Sequence, residues 1–196
     1  MGNLRVIGGE RKGFPLVSPA GSGLRPTSGR VREALFDILG SVVTGARFLD
    51  LYAGTGAVGI EALSRGAARC FFIEAGRPAV SAILRNLKEC GLDSRGRVLL
   101  GSLPAALSRL PRGEYFDLVF VDPPYGERES GRMVAILGTS AFLAPECRVI
   151  LEHRKSWTPP PVSGRLTMRR SVRYGDTVLS FFAVVPEGAD RGKDGV

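Results

Sequence analysis

The sequence has little of what disulfide frameworks, zinc sites and membrane spans require. Its 196 residues include three cysteines and a single histidine, His153, which we expect to be structural. The cysteines form no CxxC pair, which argues against a disulfide or zinc framework and fits free thiols. No apolar stretch is long enough to span a bilayer, and the first residues lack a signal-peptide core. We therefore expect a cytoplasmic monomer with no bound metal and no membrane contact.

Lysine is also scarce, with only four residues, so arginine carries most of the net charge of +8. Residues 1–32 hold six basic side chains against one acidic, and residues 153–196 hold eight against four. The middle of the chain is close to neutral. This asymmetry indicates a polyanionic partner such as nucleic acid, although solubility or an arginine-rich codon usage would give the same excess.

The order of predicted elements indicates an α/β fold. Apolar patterns predict strands at residues 47–52, 69–74, 97–100, 116–121 and 148–152. They predict helices at residues 57–65, 78–90, 103–110 and 131–138. Such alternation is typical of a mostly parallel, twisted sheet with helices on both faces. Two apolar runs around Gly175-Asp176 predict a terminal antiparallel hairpin at residues 166–174 and 177–185.

The first 30 residues are expected to form a small basic extension. Residues 4–7 and 14–17 flank a glycine-rich basic tip, which predicts a β-hairpin. A loop rich in Pro, Gly and Ser follows, and a helix with one apolar face begins at Val31. We therefore divide the chain into residues 1–30 (extension), 31–185 (α/β domain) and 186–196 (frayed tail).

The tetrapeptide Asp122-Pro123-Pro124-Tyr125 directly follows the apolar run of residues 116–121. A run rich in Val and Phe that two prolines stop predicts a buried strand with an abrupt end, and ligands bind beyond such ends. The Asp carboxylate and a proline carbonyl can both accept hydrogen bonds from one NH2 group. The Tyr ring can stack on a flat heterocycle. The motif predicts a site for an exocyclic amine on a planar base, with a plain β-turn as the alternative.

A glycine-rich loop follows the first predicted strand, with Gly54, Gly56 and Gly59 in the spacing G-x-G-x-x-G. Glu74 ends the next predicted strand, where an acid can take two ribose hydroxyls. The same spacing is the dinucleotide fingerprint, so an NAD-dependent enzyme is an alternative. Asp50 distinguishes NAD from S-adenosylmethionine as the ligand of this loop. A carboxylate facing the ligand would repel a pyrophosphate and attract the sulfonium and ammonium groups of S-adenosylmethionine. We therefore favour S-adenosylmethionine as the cofactor.

These motifs together resemble the class I S-adenosylmethionine-dependent amino-methyltransferases. More narrowly, residues 24–36 (LRPTSGRVREALF) and 59–67 (GIEALSRGA) are similar to bacterial 16S rRNA guanine-N2 methyltransferases. The resemblance covers roughly residues 4–185. It implies a Rossmann-like fold and methylation of a guanine N2 amine in 16S rRNA, within assembled or partly assembled small ribosomal subunits. Adenine-N6 methylation of DNA or RNA, and a non-catalytic RNA-binding module, are the alternatives.

The motifs and the resemblance together assign expected roles in methyl transfer, cofactor binding and RNA binding to individual residues. The catalytic and base-binding residues are Asp122, Pro123, Pro124 and Tyr125. The cofactor-binding residues are Asp50, Tyr52, Ala53, Gly54, Thr55, Gly56, Glu74 and Ser102. The RNA-facing residues are Arg5, Arg11, Lys12, Arg25, Arg30 and Arg32. Gly76 and Ser102 stand where the family often has an acid or an Asn. Glu61 is either an exposed helix residue or an anchor for Arg25 or Arg30, and we favour a structural role.

Overall fold

The computed structural model of the chain describes residues 4–19, 27–124 and 127–185. The strands of this part are β1 (Arg47–Leu51), β2 (Arg69–Glu74), β3 (Gly96–Leu100), β4 (Phe116–Val121), β5 (Leu143–Arg154), β6 (Val162–Ser163), β7 (Leu166–Tyr174) and β8 (Thr177–Val184). They form one sheet in the order β3-β2-β1-β4-β5-β8-β7-β6. Strands β1 to β5 are parallel, and β8, β7 and β6 add antiparallel pairs. The predicted mostly parallel sheet with a terminal antiparallel hairpin is confirmed.

Helices cover both faces of the sheet. They are α1 (Gly29–Leu39), α2 (Ala57–Ser64), α3 (Arg77–Glu89) and α4 (Glu127–Gly138). Because side chains alternate along a strand, Phe48 of β1 is buried with α1, α2 and α3, whereas Leu49 is buried with α4. The predicted layers are therefore confirmed. No helix in the described part of the chain combines the length and apolarity that a membrane span needs.

Two predicted helices differ in type or extent. The segment predicted at residues 103–110 is a 3-10 turn at Ala105–Arg109. It lies between Pro104 and Pro111, and a residue before proline is forced out of the helical region, so Leu110 is extended (φ −61°, ψ 141°). The helix predicted at 131–138 begins earlier, at Glu127. Its first turn is polar and carries no apolar pattern, so the sequence pattern did not show this start.

Residues 4–19 form a hairpin-like arm that packs on the domain. Backbone hydrogen bonds and one antiparallel bridge join its two limbs, and Val6 and Leu16 are buried in the core shared with α1 to α3. The tip is docked, since the Ser64 hydroxyl accepts from Arg11 N (3.0 Å) and donates to Gly8 O (2.6 Å). Ser64 is the last residue of α2, so the tip lies about 12 Å, the length of this helix, from the start of α2.

The sheet order reverses between β1 and β4, because the chain runs outward through β2 and β3 and then crosses to the other side of β1. In open parallel sheets, ligands bind at such a switch point, beyond the carboxyl ends of the strands. The glycine loop follows β1 and Asp122 follows β4, so the fold brings the two predicted motifs to this edge.

Candidate active site

The glycine loop is a tight turn whose backbone needs left-handed conformations. Tyr52, Gly54 and Gly56 have φ values of 61°, 54° and 74°. The turn is closed by a hydrogen bond from Gly56 N to Ala53 O (2.7 Å). A Cβ at Gly56 would lie 3.1 Å from Ile83 of α3. Gly56 is therefore required by both its backbone conformation and its packing, and the loop presents backbone to the crevice.

Glu74 supports this loop from the end of β2. Its Oε2 accepts from Gly54 N (2.8 Å) and its Oε1 accepts from Gly76 N (2.7 Å). Each carboxylate oxygen has a second lone pair, so Glu74 can still accept hydroxyl groups from a ligand. The carboxylate lies at the predicted position beside the loop, and its ribose contact stays a prediction.

Asp50 is bound to the start of α2, and its predicted contact with a cofactor stays a prediction. Its side chain is buried, and Oδ2 accepts from Gly59 N (2.9 Å) in the first turn of α2. Burial raises the pKa of Asp50 well above its usual value, the Gly59 hydrogen bond lowers it, and the charges of Asp122 and Glu74 raise it further. Asp50 caps α2 beneath the loop, a helix N-terminus where a carboxylate is favourable.

The other predicted cofactor residues occupy the same edge in different ways. Tyr52 is half-buried, and its hydroxyl donates to Glu129 Oε1 of α4 (2.8 Å). Burial, reinforced by this hydrogen bond, raises the pKa of Tyr52 above its usual value. Ala53 and Thr55 are buried, whereas Ser102, just after β3, is exposed. Their contacts with a cofactor stay predictions.

Asn86 was not predicted from the sequence to be part of the site. It is fully buried on α3, and its Nδ2 donates to Thr55 O (3.1 Å) and Val17 O (3.0 Å). Its Oδ1 accepts from Val17 N (2.8 Å). Asn86 thus ties the glycine loop to the N-terminal arm. The signal was a lone amide on the apolar stripe of this helix, between Ile83 and Leu87.

Asp122 stands directly after β4, and Pro123 is buried behind it. Burial raises the pKa of Asp122 to about 6, although a hydrogen bond with the Thr27 hydroxyl lowers it. Pro124 is exposed, and Tyr125 lies outside the described residues, so its predicted stacking role stays untested. The motif therefore places a carboxyl with a perturbed pKa at the switch point, as is common for groups that handle protons.

A second carboxyl, Glu152 of β5, lies beside Asp122 and was not predicted. Leu151 pairs with Val121 across the two strands, so Glu152 and Asp122 follow at the same level. Thr27 Oγ1 donates to Glu152 Oε2 (2.9 Å). Burial first, then the Asp122 charge, raises the pKa of Glu152 to about 8, against the Thr27 hydrogen bond, which lowers it. The sequence feature that could have indicated Glu152 was an acidic residue at the end of a buried apolar run.

Arg32 cannot be part of an RNA-facing surface, because it is only 1% exposed. Its Nε lies 3.7 Å from Oε2 of the equally buried Glu61, and burial lowers the pKa of Arg32 against the opposing effect of that carboxylate. Glu61 also accepts from Ile7 N (2.8 Å), Gly8 N (2.7 Å) and Arg65 Nε (2.7 Å). The structural role expected for Glu61 is confirmed, but its ion-pair partners are Arg32 and Arg65. The expected partner Arg30 is exposed, and Arg25 lies outside the described residues.

The remaining predicted RNA contacts divide by exposure. Arg5, Lys12 and Arg30 are exposed, and Arg25 lies outside the described residues. Arg11 is half-buried, with its guanidinium close to Gly91 after α3. Arg30 is an exposed cation in the first turn of α1, three positions after Thr27, whose hydroxyl donates to Glu152.

Comparison with known proteins places this geometry in a family. The model of the family described as conserved hypothetical protein 95 matches residues 4–183. The ribosomal RNA small subunit methyltransferase D of Escherichia coli K12 is 33% identical over 95% of this chain and 93% of its own. The protein of the same name from Haemophilus influenzae is 30% identical over 79% of this chain and 80% of its own.

Solved structures agree with this relationship. A hypothetical protein of Thermus thermophilus is 30% identical and superposes with a TM-score of 0.77, over 90% of this chain and 97% of that one. At 20% identity, a Salinibacter ruber RNA methyltransferase solved with S-adenosyl-L-homocysteine shares the fold, with a TM-score of 0.63 over 85% of this chain and 99% of that one. With near-complete coverage by both the family model and its relatives, the chain belongs to the rRNA methyltransferase family whose model is described as conserved hypothetical protein 95.

Proposed function

We propose that this protein transfers the methyl group of S-adenosylmethionine to the exocyclic N2 amine of a guanine in 16S rRNA. The observation that carries the proposal is the position of Asp122, which follows β4 at the switch point, across from the glycine loop that follows β1. A methyl donor on the loop and an amine at Asp122 would therefore share one crevice. The relatives named for small-subunit rRNA methylation support the RNA class.

The charge around the loop favours a cationic cofactor. Asp50, Glu74 and Asp122 are close enough for the charges of the last two to raise the pKa of Asp50. A dinucleotide pyrophosphate would meet this negative field at close range, whereas a sulfonium and an ammonium group would be attracted by it. The carboxylates of Glu74 and Asp122 at this edge thus favour S-adenosylmethionine over NAD.

The chain's own residues would align the amine. S-adenosylmethionine supplies an electrophilic methyl group when it is bound. The lone pair of guanine N2 is conjugated with the ring, so Asp122 and the Pro123 carbonyl would accept its two N–H groups and direct the lone pair at the methyl carbon. One N–H is replaced by N–CH3, and the released proton goes to Asp122, whose charge also stabilises the positive charge that develops on nitrogen.

The adenine-N6 alternative uses the same acceptors, since adenine also offers an NH2 group beside a planar ring. We favour guanine in 16S rRNA, and assembled or partly assembled subunits in the cytoplasm as substrate, because of the resemblance and the relatives' names. Methylating small subunits from a strain that lacks the enzyme and digesting the RNA tests this. N2-methylguanosine is the expected product, and methylated adenine alone would overturn the base assignment.

Removing the Glu74 carboxylate is expected to weaken S-adenosylmethionine binding. Glu74→Ala should raise Kd about 5- to 150-fold, the range for a lost charged hydrogen-bond partner of about 1–3 kcal/mol. Glu74→Gln should be milder, since one carbonyl acceptor remains for Gly54 N. Isothermal titration calorimetry measures both, with Glu146→Gln on the exposed side of β5 as the control. Tight NAD binding by the wild type without a response to S-adenosylmethionine would refute the cofactor assignment.

Reversing the charge of Arg30 is expected to weaken RNA binding without affecting the cofactor. Phosphate contacts set affinity and its salt dependence, so Arg30→Glu should raise the apparent KM for small subunits and flatten the salt slope by about one. Arg112→Glu is the matched control, because this exposed arginine precedes β4 at the opposite edge of the sheet. Equal effects of the two variants would show that only net charge matters.

A further inference from the structure

The antiparallel hairpin of β7 and β8 has its turn at the same edge of the sheet as Asp122. Glu152 of β5, which lies level with Asp122, pairs with Leu179 of β8. Leu179 pairs in turn with Val172 of β7, and the turn at residues 175–176 follows beyond this level. Asp122 and Val172 are therefore separated by three strand spacings, or about 14 Å at about 4.8 Å each.

The hairpin and the adjoining end of β5 carry four exposed arginines, called the hairpin arginines: Arg154, Arg169, Arg170 and Arg173. Residues 153–185 include a single acidic residue, Asp176, and its carboxylate is paired with Lys155 at 2.6 Å. Within the part of the chain that the structure describes, none of the hairpin arginines is in an ion pair. The protein therefore leaves this patch of positive charge without neutralising partners of its own.

Two of the hairpin arginines are held by contacts that do not neutralise them. The guanidinium of Arg170 lies over the ring of Phe181, 5.0 Å from its centroid. Arg173 Nε donates to Gly175 O (2.7 Å), which directs its side chain towards the turn. A guanidinium has five N–H donors in a planar fork, so both groups can still bind phosphate oxygens in a bidentate manner.

The charges of the crevice make such a patch useful to a polyanionic substrate. Glu74, Asp122 and Glu152 are acidic residues at neighbouring strand ends, so a polyanion is repelled there unless cations beside the crevice offset the field. The tip of the N-terminal arm, with Arg11, is docked at the far end of α2. The hairpin arginines are therefore the positive charges on the β5 side of the crevice.

Protection of a strand edge is the competing explanation for these charges. In the described residues, β6 pairs only with Leu166 and Thr167, so the rest of β7 is close to an edge strand. Charged side chains prevent edge strands from pairing with other chains. Either sign of charge gives this protection, whereas binding to a polyanion requires positive charge. Charge reversal therefore separates the two explanations.

We propose that the hairpin arginines bind phosphate groups of the RNA strand that carries the target base. This role rests on the proposed methylation of an rRNA base at Asp122. At about 3.4 Å of axis per nucleotide of one strand, the 14 Å from Asp122 to β7 corresponds to about four nucleotides. The bound phosphates are those that flank the target base on one side. They set affinity and register, while the residues after β4 contact the base.

Reversing the two charges nearest the crevice tests the proposal. Arg154→Glu/Arg173→Glu should raise the Kd for small ribosomal subunits about tenfold or more, and should flatten the slope of log Kd against log salt by about two, one for each lost phosphate contact. The subunits come from a strain that lacks the enzyme, and filter binding over a salt series gives the Kd. Arg154→Lys/Arg173→Lys keeps the charges and should remain close to the wild type. An unchanged Kd in the glutamate variant, as edge protection requires, would overturn the proposal.

The matched control is Arg97→Glu/Arg112→Glu, which changes the net charge by the same amount. Both arginines are exposed, Arg97 on the opposite edge strand β3 and Arg112 before β4. An equal loss of affinity in the control would show that only net charge matters and would also overturn the proposal. Calorimetry with S-adenosylmethionine checks that the hairpin variant is folded. If it fails that check, Arg154→Glu alone carries the test, with an expected slope change of about one.

A crosslink identifies what occupies the hairpin surface. Cys70, Cys90 and Cys147 are buried, so Arg169→Cys adds an accessible thiol to which a photoreactive maleimide can be attached. Irradiating its complex with small subunits should join the protein to 16S rRNA. A crosslink to ribosomal protein alone, or none, would overturn RNA as the partner. The guanine assignment fails separately, when the wild type forms no N2-methylguanosine while the hairpin variants behave as stated.

Discussion

Asp122→Ala is expected to lower the single-turnover rate of methyl transfer by about 100-fold or more. The carboxylate would accept an amine N–H, balance the developing positive charge and take the released proton, and general-base catalysis alone typically contributes about 10²–10⁴. Affinity for S-adenosylmethionine should change little, because Glu74 and the backbone of the glycine loop are separate from Asp122. Rapid-quench transfer of labelled methyl to small subunits gives the rate, and calorimetry gives the affinity.

The matched control for this substitution is Asp117→Asn at the other end of β4. Asp117 pairs with Arg47 at 2.8 Å, and both side chains are about a third exposed. Such pairs are worth about 0–1 kcal/mol of stability, so this variant should fold and should methylate at close to the wild-type rate. If Asp122→Ala turned over at a near-wild-type rate, Asp122 would have no part in the chemistry.

The fold could be predicted from the sequence because its signals are local. Strand β4 is a continuous run of Val, Phe and Leu that two prolines end, and α3 has an apolar stripe between Pro78 and Gly91. The Ala105–Arg109 turn was missed as a turn, since its composition is helical and only the prolines around it limit its length. The apolar pattern alone therefore predicts a helix there, because it does not include the effect of the two prolines.

The candidate site was predicted as a set of motifs and not as a network. Asp122 and Glu74 lie at the expected edge of the sheet, because the ends of parallel strands share an edge. The hydrogen bond of Asp50 to the N-terminus of α2 was not predicted, since whether a carboxylate binds such a helix end depends on packing. Glu152 and Thr27 are far from Asp122 in sequence and meet it only through the fold, so no spacing rule links them.

The buried ion pair beneath the N-terminal arm leads to the largest expected effect on stability. Glu61 is 0% exposed and receives hydrogen bonds from Ile7 N, Gly8 N and Arg65, besides its ion pair with Arg32. In the described part of the chain, Nε and Nη1 of Arg32 have no hydrogen-bond partner, so this buried cation depends on the Glu61 charge. Removing one partner of a buried pair leaves the other uncompensated, which costs about 3–5 kcal/mol.

Glu61→Ala should therefore lower the melting temperature by on the order of 10 °C for a chain of this size. Limited proteolysis should also cut the arm near Gly8, because two of its backbone N–H groups lose their acceptor. Glu61→Gln keeps an oxygen for one of them and should fall between the wild type and Glu61→Ala. The control is Glu89→Ala, which breaks an exposed pair with Arg85 on α3 and should cost about 0.5 kcal/mol or less. If Glu61→Ala melted no lower than Glu89→Ala, the buried pair would not be what holds the arm on the domain.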